Sequence, residues 1–167
     1  LLSTCDGGVT MIRLQREDFD FAQEVATLSA GNKSVGGVCA FTGLVREIAG
    51  DTKISAMTLE HYPGMTEKAL TEIEAQAQAR WPLEKTLIIH RYGRLEPADQ
   101  IVLVAASSAH RDAAFDACRF LIDWLKTEAP FWKLEESEKG ANWVEAKDSD
   151  TRAQARWLEK NQEDSSD

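Results

Sequence analysis

The segment Ser107–Glu136, SSAHRDAAFDACRFLIDWLKTEAPFWKLEE, contains the strongest helical pattern and the main candidate site residues of the chain. It passes from the end of an apolar strand through a polar turn into an amphipathic segment, and Pro130 ends that segment. The spacing of its apolar residues predicts a helix from about His110 to Glu128. We expect the buried face of this helix to carry Phe115, Cys118, Leu121 or Ile122, and Leu125.

Positive groups stand at both ends of the predicted helix. His110 and Arg111 lie at its start, where free backbone N–H groups and the helix dipole favour a phosphate. Arg111 adds a planar donor fork and His110 a further donor. The pattern therefore indicates an anion site, although a serine cap followed by two solvated polar residues would give the same local sequence.

Lys126 lies near the end of the helix, where the dipole stabilises an ammonium. It is better suited to hold a carboxylate-like group than to act as a neutral base, but an ordinary helix-end lysine looks the same. Phe131-Trp132 beside Lys133 is typical of a pocket wall or an interface. Arg46 is a further candidate for a positive wall, or else a surface partner of Glu47 or of another acidic residue.

The composition excludes several classes of partner. The chain has 167 residues and a net charge of -9, which argues against nucleic acid or an anionic membrane. No apolar run approaches the ~20 residues of a membrane span. The cysteines Cys5, Cys39 and Cys118 form neither a disulfide framework nor a CxxC motif, so we expect a cytoplasmic protein.

The chain is expected to form one domain. Residues 1–10 have no periodic pattern and predict a disordered leader, with Met11 as a plausible natural start; the alternative is the remnant of a fused small subunit ending in Gly7-Gly8. Residues 11–160 form the domain, and 161–167 a frayed acidic tail.

The alternation of strand and helix patterns predicts an α+β fold with mainly antiparallel pairing. The continuous apolar run Gln100–Ser107 predicts a central strand covered on both faces. His61 and His90 fall within strand patterns and are expected to form hydrogen bonds at the edge of the core, and Cys118 to be a packing residue. No spacing indicates a metal site. The remaining predicted strands are 11–15, 35–45, 55–62, 85–92 and a hairpin of 131–135 with 143–146; the remaining helices are 18–29, 64–80 and 149–160.

Several segments together resemble the large, catalytic subunit of molybdopterin synthase. The matching segments are FTGLVRE (41–47), LEHYPGMTEKAL (59–70), RWPLEKTLIIHRYGRLEPADQIV (80–102), SSAHRDAAFDACRFLIDWLKTEAPFWKLE (107–135) and WVEAKDSD (143–150).

The resemblance implies an α/β-hammerhead fold with an added β-hairpin subdomain. It implies a homodimer of large subunits within a heterotetramer, with a small ubiquitin-like sulfur-carrier subunit at each end. The Gly-Gly C-terminus of that partner bears a thiocarboxylate, whose sulfur is transferred to cyclic pyranopterin monophosphate to form the dithiolene of molybdopterin. The resemblance implies no cofactor and no metal in this chain.

The resemblance also implies roles for individual residues. Lys126 matches the essential lysine beside the thiocarboxylate, and Lys133 the second essential lysine. Arg46, His110 and Arg111 match positions that bind the pterin phosphate. The wider substrate-binding set adds Leu44, Val45, Leu134 and Glu135, of which Leu44 and Leu134 replace residues that are often basic in the family. A non-catalytic anion-binding or scaffold protein of the same fold is the competing hypothesis.

Overall fold

A computed structural model describes residues 2–5, 8–49, 51–144, 155 and 157; for residues 2–5 and 8–10 it describes the backbone alone. It has the order β-β-α-β-β-β-α-β-β-β-α-β-β. The elements are β1 Leu2–Cys5, β2 Gly8–Gln15, α1 Phe21–Ala26, β3 Gly37–Leu44, β4 Ile48–Ala49, β5 Thr52–His61, α2 Met65–Arg80, β6 Lys85–Arg91, β7 Gly93–Leu95, β8 Gln100–Ser108, α3 Arg111–Glu128, β9 Phe131–Ser137 and β10 Gly140–Val144.

The strands form two sheets. The first has the order β1-β2-β6-β8-β3, and the second β10-β9-β5-β4, with β7 also paired to β5. Every described pairing is antiparallel except that of β2 with β6. The α+β fold with mainly antiparallel sheet is therefore confirmed, as is the β9–β10 hairpin. None of the described helices is long and apolar enough to cross a membrane.

Strand β8 shows how the apolar sequence creates two cores. Val102 and Val104 face α2 and α3, whereas Leu103 and Ala105 face α1 and its flanking loops. Successive side chains of a strand point to opposite faces, so a strand covered on both faces must be apolar throughout. The predicted burial of this strand is confirmed.

Helix α3 packs on the first face of the same sheet. Cys118, Leu121, Ile122 and Leu125 are buried there as predicted, but Phe115 is 61% exposed, so its assignment to the buried face is wrong. The small residues Ala113, Ala114 and Ala117 occupy the first turns of the buried face instead, which lets the helix approach the sheet closely.

Several predicted segments differ from the structure or lie outside it. Strand β1 pairs antiparallel with β2 in the segment predicted to be a disordered leader, with Leu2 opposite Met11 and Cys5 opposite Gly8, so this prediction is wrong for Leu2–Cys5. Helix α1 begins after Asp20 and ends at Ala26, and is shorter than predicted. Of the predicted last helix only Ala155 and Trp157 are described, both helical; the tail 161–167 and residues 145–150 lie outside the described residues.

Candidate active site

A cavity of about 670 Å³ opens where the two sheets meet the end of α3. Its volume lies in the range of small-ligand sites. The apolar part of its wall comes from all the strands that border it and from α3, and five ionisable side chains also line it. The ionisable side chains are Arg46, His90, Lys126, Lys133 and Glu135.

The two lysines reach the cavity from different elements. Lys126 lies in the last turn of α3, and its side chain is exposed. Lys133 lies on β9, paired with Leu59 of β5 and Val144 of β10. Pro130 separates helix from strand, so the chain turns back and brings the second lysine to the same cavity.

Arg46 and Glu135 add one charge of each sign to the cavity. Arg46 is exposed just beyond the end of β3. Its neighbour Glu47 pairs with Lys53 at 3.0 Å, so the alternative surface pair of Arg46 with Glu47 is not seen. With both lysines present, three of the four charges on the wall are positive, which suits an anionic ligand.

Three of the predicted substrate-binding residues occupy different places. Leu44 lines the cavity and is 49% exposed. Val45 is buried with Leu59 and Leu95, and its backbone bonds to Asp99 and Ala98, so it does not reach the cavity.

Leu134 lies opposite Thr58 and Trp143 in the second sheet. It lies on the face of β9 opposite to that of Lys133 and Glu135, because successive side chains alternate. The position of Leu134 therefore gives it no contact with the cavity.

His110 and Arg111 lie at the opposite end of α3. Between Arg111 and Lys126 the helix rises about 22 Å, at about 1.5 Å per residue. Both side chains are exposed, and Arg111 makes a 3.6 Å contact with Asp112. Within one chain the structure does not bring this pair together with the two lysines.

The serines before this pair have structural roles. The hydroxyl of Ser108 donates to the carbonyl oxygen of Pro82 at 2.7 Å, and that of Ser107 to Leu28 at 3.1 Å. The backbone N–H of His110 in turn donates to the Ser108 hydroxyl at 3.2 Å. Both serines are fully buried, and these hydrogen bonds hold the turn in place.

His90 is the cavity residue whose position the sequence did not reveal. It is 5% exposed at the end of β6, and its ring stacks on Phe131 with centroids 3.8 Å apart. Burial lowers the pKa of His90 to about 4, and the charge of Lys133 contributes to the shift. Its strand pattern indicated a hydrogen-bonding core residue, which is confirmed, but its proximity to the two lysines depends on pairings that are distant in sequence.

Two other predictions concern side chains near the cavity. Phe131 lines the cavity as expected, whereas Trp132 points away and packs edge-on against Tyr62 at 4.8 Å. Cys118 is buried, and burial raises the pKa of its thiol, which agrees with a packing role.

Comparisons with known proteins agree with these features. Residues 14–128 match a family model described as "MoaE protein". The chain is 55% identical over 146 residues to a molybdopterin synthase catalytic subunit of Ralstonia nicotianae, covering 87% of this chain and 83% of that one. It is similar to a solved structure of a molybdopterin biosynthesis MoaE protein from Burkholderia ambifaria, with TM-score 0.76, 51% identity, and coverage of 89% and 97%.

A more distant structure shares the fold alone. It is a complex of subunits 1 and 2 of the molybdopterin-converting factor from Helicobacter pylori. The TM-score is 0.62 at 20% identity, covering 83% of this chain and 90% of that one.

Proposed function

The chain belongs to the MoaE protein family, and on that premise we propose that it is the catalytic subunit of a molybdopterin synthase. It acts as a sulfurtransferase, passing sulfur from the C-terminal thiocarboxylate of a small ubiquitin-like subunit to cyclic pyranopterin monophosphate. The observation that carries the proposal is the convergence of Lys126 and Lys133 on one cavity from two different elements. The names of the relatives also favour an enzyme over a non-catalytic scaffold.

The cavity suits both anionic reactants. Lys126 holds the thiocarboxylate as an ammonium, because its place in the last turn of α3 stabilises the charged form. Lys133 assists opening of the cyclic phosphate by stabilising the negative charge that develops on the leaving oxygen. The Gly-Gly tail of the small subunit carries no side chains, which favours its insertion into the cavity. This scheme uses no cofactor and no metal of the chain's own, and we place it in the cytoplasm.

A second copy of the chain would bring His110 and Arg111 to the cavity. Strand β3 is the last strand of the first sheet in the described part of the chain, and its side chains Val38, Phe41 and Leu44 are 38–49% exposed. Its first residue, Gly37, packs against Arg111, and its last, Leu44, lines the cavity.

Antiparallel pairing of β3 with the β3 of a second copy would lay the start of one strand beside the end of the other. The eight residues of β3 span about 26 Å, close to the rise of about 22 Å between Arg111 and Lys126. Each copy would then offer its His110 and Arg111 to the other copy's cavity, where they bind the substrate phosphate. We therefore include a homodimer of large subunits within a heterotetramer in the proposal.

The test is reconstitution with a thiocarboxylated small subunit and cyclic pyranopterin monophosphate. We expect Lys126→Ala to lower dithiolene formation by at least about 100-fold, because the anionic sulfur donor loses its counter-charge. Lys68→Ala, an exposed lysine of α2 paired with Glu72, is the matched control and should react normally. Near-normal dithiolene formation by a folded Lys126→Ala protein would contradict the proposed function.

A further inference from the structure

His90 has one ring nitrogen committed and one available. Nδ1 lies 2.8 Å from the carbonyl oxygen of Arg91, the following residue, so Nδ1 carries the proton and donates this bond. Nε2 therefore keeps its lone pair and is an acceptor. No hydrogen bond to Nε2 is found within the described ranges, and His90 borders the cavity.

The ring of His90 also anchors the strand that carries Lys133. It stacks on Phe131 with an angle of 15° between the planes, the most parallel ring pair described for this chain. Phe131 is the first residue of β9, and Lys133 lies two residues later on the same face. The stack thus joins the end of β6, in the first sheet, to the segment of the second sheet that presents Lys133.

The charges around His90 explain why a neutral acceptor suits this place. Lys126 faces the cavity from α3, Arg46 from beyond β3, and Lys133 and Glu135 from β9. His61 of β5 lies near Phe131, with ring centroids 6.3 Å apart. A second carboxylate would repel an anionic substrate and neutralise a lysine. A buried neutral imidazole can accept a lysine N–H without adding negative charge.

We propose that His90 is a positioning residue for Lys133: its ring holds Phe131 by stacking, and its Nε2 accepts a hydrogen bond from the Lys133 ammonium. The inference deepens the proposed function and rests on it, since it assumes that Lys133 acts on the substrate. It assigns His90 no direct contact with the reacting atoms.

The decisive measurement is the pKa of the Lys133 ammonium. It is obtained by NMR titration of the lysine side-chain signal that is absent from the spectrum of Lys133→Gln. A hydrogen bond to the charged form raises a lysine pKa. His90→Phe keeps the stack and removes the acceptor, so we expect the Lys133 pKa to fall by about one unit. His90→Gln keeps a hydrogen-bond acceptor, so the Lys133 pKa should fall much less in this variant than in His90→Phe. His90→Gln also keeps the proposal testable if His90→Phe does not fold.

The matched control is His61→Phe, which changes the other strand histidine, stacked on Tyr92 at 4.6 Å and absent from the cavity wall. It should leave the Lys133 pKa and sulfur transfer unchanged. An unchanged Lys133 pKa in folded His90→Phe, or an equal fall in His61→Phe and His90→Phe, would overturn the inference.

Sulfur-transfer assays then separate this inference from the proposed function. If the Lys133 pKa falls in His90→Phe while Lys133→Gln still forms dithiolene, His90 positions Lys133 as inferred and the catalytic role proposed for Lys133 fails. If Lys133→Gln is inactive and the pKa does not respond to His90→Phe, the proposed function stands and the inference fails.

Discussion

The charge state of His90 couples the cavity to the stability of the fold. Burial lowers its folded-state pKa from 6.5 to about 4. Above pH 6.5 the ring is neutral in both the folded and the unfolded chain, so its full contribution to stability is present there. Between pH 6.5 and pH 4 only the unfolded chain binds the proton, and stability falls as the pH is lowered.

This predicts a measurable difference between the wild type and His90→Gln. The side chain of the variant does not titrate, so its stability lacks the part of the pH dependence that His90 supplies. We expect the difference in unfolding free energy between the two proteins to change by at most about 3 kcal/mol from pH 7 to pH 4, in the direction that favours the variant at low pH. Urea unfolding at several pH values measures it; a constant difference would contradict the assigned burial of a neutral ring.

At the scale of elements, the start of α3 is held against the start of β3 by backbone contact. A Cβ atom added at Gly36 would lie 2.1 Å from the carbonyl oxygen of Ala109, just before His110. The N–H of Gly36 also donates to the carbonyl oxygen of Ser108 at 3.0 Å. Neither side of this contact can yield without moving the turn that carries His110 and Arg111.

Gly36→Ala should therefore displace this turn. We expect a loss of about 1–3 kcal/mol in the free energy of unfolding, the usual cost of overpacking, together with weaker binding of the pterin phosphate. Gly37→Ala is the control, because its added Cβ would lie 3.4 Å from the Cα of Arg111. Equal stability of the two variants by denaturant unfolding would contradict the close contact at Gly36.

Long elements with a local pattern can be predicted from this sequence, whereas very short elements and contacts between distant segments cannot. The long apolar run of β8 and the helical spacing of α3 are local and strong, and both were predicted. Strands β4 and β7 have two and three residues, too few to show a period, and were missed. The local sequence and the family resemblance both indicate Lys126 and Lys133, whereas His90 reaches them only through pairings between strands far apart in the chain.

At the scale of the whole molecule, the cationic residues at the two ends of α3 lie too far apart to bind one small ligand within a single chain. Arg111 lies about 22 Å along α3 from Lys126, so one ligand the size of a pterin phosphate cannot contact both in one chain. A two-fold dimer joined through β3 would complete each cavity with the His110 and Arg111 of the other copy. In such a dimer, each active site would depend on two chains.

Mixing two inactive variants distinguishes shared sites from sites within one chain. One variant is Lys126→Ala, and the other is the double variant His110→Ala, Arg111→Ala. The two proteins are refolded together or expressed together. In a mixed dimer one cavity has both defects, and the other combines an intact lysine with an intact His-Arg pair. Half of the dimers are mixed and half of their sites intact, so we expect about a quarter of wild-type dithiolene formation. Mixing Lys126→Ala with Lys133→Ala, which damage the same cavity, should recover nothing; recovery there, or none in the first mixture, would contradict shared sites.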